Sequence, residues 1–254
     1  MASQPLRFDP TATPAPEPAS PVVSMDLGPG ETAAAARPPV TPQQRRMALV
    51  RGLQNMFPND PRRPQLLLEL SAACTELGDG REAWAAARDA FDLYLAREDW
   101  EGAARAADAL FLTGEPEVLK GLAHGLWLAV TFPIDPRVTL QLLERLIDEA
   151  AHDDIAAVAA ATAHYVAYLR AGDGELGEEV RANASRLLSN VAWTHGGVET
   201  REGFEGWVRI HGLDDPEVFL PLLAQALDRM VEGDWWYDRD ALRARIPEEG
   251  PSPQ

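Results

Sequence analysis

Residues that open helices and residues that break them alternate along most of this chain, and the stretches between them carry apolar side chains at helical spacing. Thr41-Pro42-Gln43-Gln44 reads as a capping box with proline at the first helical position, where its missing N–H removes no bond. Met47, Val50, Leu53 and Phe57 follow three or four apart, the spacing that lines one side of a helix. Asp60-Pro61 opens a second helix, running through Leu77, and Asp79 or Gly80 a third. Asp99 opens a fourth, Glu115-Pro116 a fifth that ends before Pro133, and Asp135-Pro136 a sixth carrying Val138, Leu142, Leu143, Leu146 and Ile147. Asp153 or Asp154 caps an alanine-rich seventh, to about Leu169. Ala171-Gly-Asp-Gly174 precedes an eighth over 176–192, and a glycine-broken ninth covers 199–211. Asp215-Pro216 opens a tenth to Val231, and Tyr237-Asp238 a short last one in which Tyr237 staples onto Leu242. No stretch alternates apolar and polar residues between turn signals as a strand would. The pattern predicts an all-α fold of about ten to eleven helices, with short connectors making consecutive helices antiparallel neighbours.

Three of the helix starts look alike: Asp60-Pro61, Asp135-Pro136 and Asp215-Pro216, each followed by leucines, 75 and 80 residues apart. Four helices fit each interval, so the unit would be a helical hairpin of about 38–40 residues, within the range of helical-repeat periods. Such a hairpin cannot bury its own apolar side and must stack on its neighbours. Leu77-Gly-Asp-Gly-Arg-Glu-Ala83, followed by Ala87 and Ala90 and preceded by Leu67, Leu70 and Ser71, resembles the helix-turn-helix of tetratricopeptide-repeat proteins. Ala96-Arg-Glu-Asp-Trp100-Glu-Gly-Ala103 resembles a second copy of the turn, 20 residues on rather than the usual 34 or so. The resemblance is degenerate and covers about residues 60–112. It implies antiparallel hairpins stacked as a right-handed array of tetratricopeptide or HEAT type (TPR/HEAT-like). It also implies a concave surface for a protein segment, and no catalytic residues.

Residues 1–40 differ in kind. They hold nine of the 21 prolines, eight alanines and few large apolar side chains. Such a segment buries too little surface to offset its ordering entropy and reads as a disordered arm; the tail 247–254 reads the same way. Between them, 41–246 forms a single helical domain.

The net charge of −17 repels phosphate backbones and anionic membrane surfaces, which argues against nucleic-acid binding. It suits a protein partner, basic in character, or serves solubility alone. No apolar run reaches the ~18 residues that span a bilayer, and no basic n-region followed by an apolar run opens the sequence. No membrane insertion and a cytoplasmic location are therefore expected. Cys74 is the only cysteine, so no internal disulfide can form, a cysteine-based zinc site is not expected, and packing is its expected role.

The five histidines are His124, His152, His164, His195 and His211. No His-Glu-x-x-His pair, phosphate loop, dinucleotide fingerprint or nucleophile elbow is present. Glu149-Ala-Ala-His152 is half of a di-iron motif that lacks its second copy. His124, followed by His152-Asp153, resembles the metal-binding set of HD-domain phosphohydrolases, which are also all-helical. The resemblance implies a metal that polarises phosphate and activates water. Ala156-Ala157 stands where that family has Gly-Lys, and its last aspartate has no counterpart. The same residues also serve as helix ends and caps. His164, after Ala156–Ala163, is expected to be a hydrogen-bonded core histidine.

Two clusters suit binding or internal pairing. Arg45, Arg46, Arg51, Arg62 and Arg63 form a local basic patch, expected to pair internally with the acidic remainder. Trp235-Trp236-Tyr237, with Trp193 and Trp207, makes the C-terminal third aromatic-rich, fit for docking a terminal helix or for a hot spot. The sequence thus points to a non-enzymatic protein–protein interaction module, an adaptor, scaffold or assembly factor that binds a partner segment in a helical groove. No catalytic, cofactor-binding or metal residue is assigned. The alternatives are the phosphohydrolase using His124, His152 and Asp153, and a structural subunit of a larger complex.

Overall fold

The computed structural model describes residues 40–150 and 154–246. The arm apart from Val40, the tail, and His152 and Asp153 lie outside the described residues. Those described form eleven α-helices and no strand. They are α1 (Pro42–Gln54), α2 (Arg63–Glu76), α3 (Gly80–Ala96), α4 (Trp100–Phe111), α5 (Val118–Thr131) and α6 (Pro136–Glu149). α7 (Ile155–Arg170), α8 (Glu175–Gly196), α9 (Arg201–Ile210), α10 (Pro216–Val231) and α11 (Arg239–Arg243) complete the chain.

Side-chain caps account for most of the starts. Thr41 Oγ1 accepts from the Gln44 amide while the Gln44 side chain accepts from the Thr41 amide, the reciprocal box read from sequence. Asp79, Asp99, Asp135, Thr200, Asp215 and Asp238 each accept a backbone N–H in the first turn of the helix that follows. Two starts come later than the sequence suggests. Asp60 accepts from the Arg62 amide and spends its cap on a turn, so α2 begins at Arg63. α5 begins at Val118, after a turn closed by the Val118 amide on the Glu115 carbonyl. α8 also outlasts its expected end, reaching Gly196, with Gly197 at φ 62 closing it in the left-handed region that glycine adopts without strain.

Consecutive helices from α1 to α8 pack pairwise. Contacts also join α2 to α4, α4 to α6 and α6 to α8, so the even-numbered helices form one layer of the array. α3, α5 and α7 form the other. α5 is the axis of the molecule, buried continuously from Gly121 to Ala129. Small residues make this possible: Ala103, Ala104, Ala106 and Ala107 of α4 and Ala156–Ala161 of α7 are all buried. Gly125 lies so close to α4 that a Cβ there would stand 2.2 Å from the Ala107 Cβ. The end of α5 is closed from its neighbours, with Thr139 and Arg170 both donating to the Ala129 carbonyl.

The third Asp-Pro start does not extend the array. α10 folds back to pack on both α5 and α7, and the segment after it returns to α3 and α5. Periodicity identified the apolar side of α10, but nothing local to it specifies where it docks. Cys74 is buried as expected, and burial pushes its thiol up to about 11. Phe57 is 78 % exposed, because α1 ends at Gln54 and leaves it in the turn beyond the apolar stripe. Met47 is also exposed. No helix among the described residues is long and apolar enough to cross a membrane.

Candidate functional site

Trp235-Trp236-Tyr237 lies across α3 and α5 and forms an aromatic nest around His124. The imidazole stacks on Trp236 at 3.8 Å between centroids, with Trp235 edge-on at 5.0 Å and Tyr237 at 5.4 Å. Arg88 of α3 also lies over Trp236, its guanidinium carbon 3.9 Å from a ring centroid, and Arg239 sits 4.2 Å over Trp235. Tyr237 donates to the His124 carbonyl at 2.7 Å, Trp235 donates to Asp228 at 3.0 Å, and Lys120 pairs with Asp234. The segment is thereby held at both edges and filled in the middle.

His124 is fully buried, and neither of its ring nitrogens has a hydrogen-bond partner among the described residues. Burial is the main cause that lowers its pKa to about 3, and the nearby Arg88 and Lys120 charges push the same way against Asp234. The ring is a neutral packing element. It is brought together with Trp235, Trp236 and Tyr237, and no group of three metal-ligating side chains occurs among the described residues. His152 and Asp153, the other members of the phosphohydrolase set, lie outside them. Glu149, from the half di-iron motif, is exposed at the end of α6.

The remaining sequence candidates separate cleanly. Arg45 pairs with Glu76, Arg46 with Glu82 and Asp79, and Arg62 with Asp60, while Arg63 donates to the Leu53 carbonyl. The basic patch is thus used internally, as expected, apart from exposed Arg51. His164 departs from expectation. It is half-buried, makes no hydrogen bond among the described residues, and stacks on Tyr168 at 4.4 Å. The alanines before it bring α7 close to its neighbours but leave the end of the helix less crowded. Trp207 is buried while Trp193 is 62 % exposed.

An open cleft of about 870 Å³ runs between α6 and α8 on the even-numbered layer. Leu140, Val180 and Leu187 contribute its apolar lining. Arg137, Gln141 and Arg145 approach from α6, and Asn183, Arg186 and Asn190 from α8, against one acidic residue, Glu144. Asp108 of α4 steadies the α6 side by accepting from Gln141 at 2.7 Å and from Arg145 at 3.1 Å. Arg137 pairs with Asp135, and this holds the Asp135 carboxyl below its usual range. Arg186 donates only to the side-chain oxygen of Asn183 and has no carboxylate partner among the described residues. The wall therefore presents fixed and free donors to whatever lies in the cleft.

None of these cleft residues stood out in the sequence. The available signal was a polar stripe, Arg137, Gln141 and Arg145 at every fourth position, away from the buried Leu142, Leu143 and Leu146 of α6, with Asn183, Arg186 and Asn190 three and four apart on α8. Compared with family models, curated proteins and solved structures, the chain matches none.

Proposed function

We propose that this chain is a non-enzymatic interaction protein that receives an extended segment of a protein partner in the cleft between α6 and α8. The observation carrying this reading is an asymmetry between the two layers. Part of the α3, α5 and α7 layer is covered by the chain's own α10 and Trp235–Tyr237. On the opposite layer, a cleft of about 870 Å³ stays open with donors on both walls. A segment rich in carbonyl or carboxylate acceptors satisfies Asn183, Arg186 and Asn190 while its apolar side chains rest on Leu140 and Leu187. The wider partner is neutral or basic, since a net charge of −17 disfavours acidic proteins and nucleic acids at long range. The proposed setting is the cytoplasm, and the proposed role is adaptor, scaffold or assembly factor. The degenerate tetratricopeptide resemblance over 60–112 supports the same mode of use.

The test compares the full chain with an Arg186→Glu, Asn190→Ala double variant as bait, captured from its native host and read by quantitative mass spectrometry. Both positions are exposed, so thermal stability is expected to change by less than about 0.5 kcal/mol. A stoichiometric partner retained by the full chain and lost by the variant supports the reading. Equal recovery of the partner with both baits refutes it.

A further inference from the structure

A second cavity, separate from the α6/α8 cleft, lies between α7, α8, α9 and α10 and has a volume of about 590 Å³. That size falls in the range of small-molecule sites. Its walls carry four phenyl or phenol rings, Tyr165 and Tyr168 from α7, Phe204 from α9 and Phe219 from α10. Tyr165 and Phe219 meet edge to face at 6.0 Å, so their orientation is fixed by each other. His164 stacks on Tyr168 with neither ring nitrogen bonded among the described residues, and burial lowers its pKa, so it stands as a neutral ring. Charge along its lining has one sign only. Asp214 lines it and makes no ion pair among the described residues, and no arginine or lysine is present. Ring faces carry negative electrostatic potential and attract cations, the more so when partly desolvated. A lone carboxylate beside such faces adds to that attraction, and a bound carboxylate would meet no donor of positive charge.

We propose that the cavity between α7, α8, α9 and α10 binds a small organic cation, an ammonium group carried on a flat apolar body. The ammonium group sits by Asp214 and the ring faces, and the body fills the apolar space below. Bound ligand would clamp α9, which otherwise leans on α8, against α10.

Titration calorimetry on the full chain tests this with tryptamine and 3-indolepropionate, probes that share a ring and differ in charge. Tryptamine is expected to bind with a dissociation constant below about 1 mM, and the carboxylate at least about tenfold more weakly. Asp214→Asn, at an exposed position, is expected to weaken tryptamine by about tenfold without altering the circular dichroism spectrum. Ser189→Trp, also exposed and lining the cavity, fills it and abolishes binding. Failure of tryptamine to bind, equal binding of the two probes, or tryptamine affinity unchanged in either variant overturns the assignment.

Discussion

His124 couples the stability of the protein to pH in a definite direction. Its ordinary pKa is 6.5 and burial takes it to about 3 in the folded chain, where Arg88, Lys120, Asp234 and the phenol of Tyr237 face it. Above about pH 6.5 the ring is neutral whether the chain is folded or not, so its contribution is complete there. Below that, the unfolded chain takes up a proton that the folded one refuses. Stability then falls by about 1.4 kcal/mol per pH unit until the pH nears 3. Replacing the ring by an apolar group removes both the titration and two unbonded nitrogens. His124→Leu is therefore expected to flatten the curve: between pH 7 and pH 4.5, wild type loses roughly 2–3 kcal/mol more than the variant, as read from urea midpoints. Identical pH profiles would show that the imidazole is not held neutral. This fate was not legible in the sequence, where His124 looked like a metal-ligand candidate. A helical stripe shows that a position is covered, but the covering hydroxyl comes from Tyr237, 113 positions away. Cys74 was legible, because its role depends only on its own helix and that helix's nearest neighbours.

The contact between α4 and α5 is set by absence of side chain more than by its presence. At Gly125 a methyl group would meet the Ala107 Cβ at 2.2 Å, and neither atom can rotate away. Gly125→Ala is expected to cost about 1–3 kcal/mol through forced separation of the two helices, despite the better helix propensity of alanine. Gly206, in α9, has no atom within 4 Å of the position a Cβ would take apart from its chain neighbours and the helix's own backbone. Gly206→Ala is therefore expected to stabilise by about 0.5–1 kcal/mol, through propensity and a less flexible unfolded chain. Chemical denaturation of the pair checks both signs, and a loss at Gly206 equal to that at Gly125 would mean that packing does not distinguish them. Helix starts were readable for a related reason. Asp99 and Asp135 act on amides within three residues, so the cap and its effect share one short window of sequence. Asp60 has the same chemistry but closes a turn on Arg62, and there the reading erred by a few residues.

A stack of hairpins that touches only its neighbours unfolds by pieces, since each interface is lost separately. This molecule breaks that pattern with its last elements. α10 bridges α5 and α7, Trp236 packs on both His124 and Arg88, and Arg245 reaches Glu98, in the turn after α3, at 2.7 Å. Contacts of such long sequence separation tie the early and late parts of the array to one another, so the whole domain is expected to melt as a unit. The three similar Asp-Pro starts gave no hint of this, because α2 and α6 lie in one layer of the array while α10 leaves it for the opposite side. The keystone is the Trp236 side chain, which is packed among Trp84, Phe91 and His124. Trp236→Ala is expected to cost about 3 kcal/mol, at the lower end of tryptophan truncations because the ring is only partly buried. Its second effect distinguishes a keystone from an ordinary core residue. With the strap loosened, the α3–α5 and α7–α10 parts no longer report on each other, and the thermal transition broadens. Differential scanning calorimetry should then give a van't Hoff enthalpy near the calorimetric value for the wild type and clearly below it for the variant. A variant that melts lower but just as sharply would show that α10 alone carries the coupling, and that the strap adds stability without cooperativity.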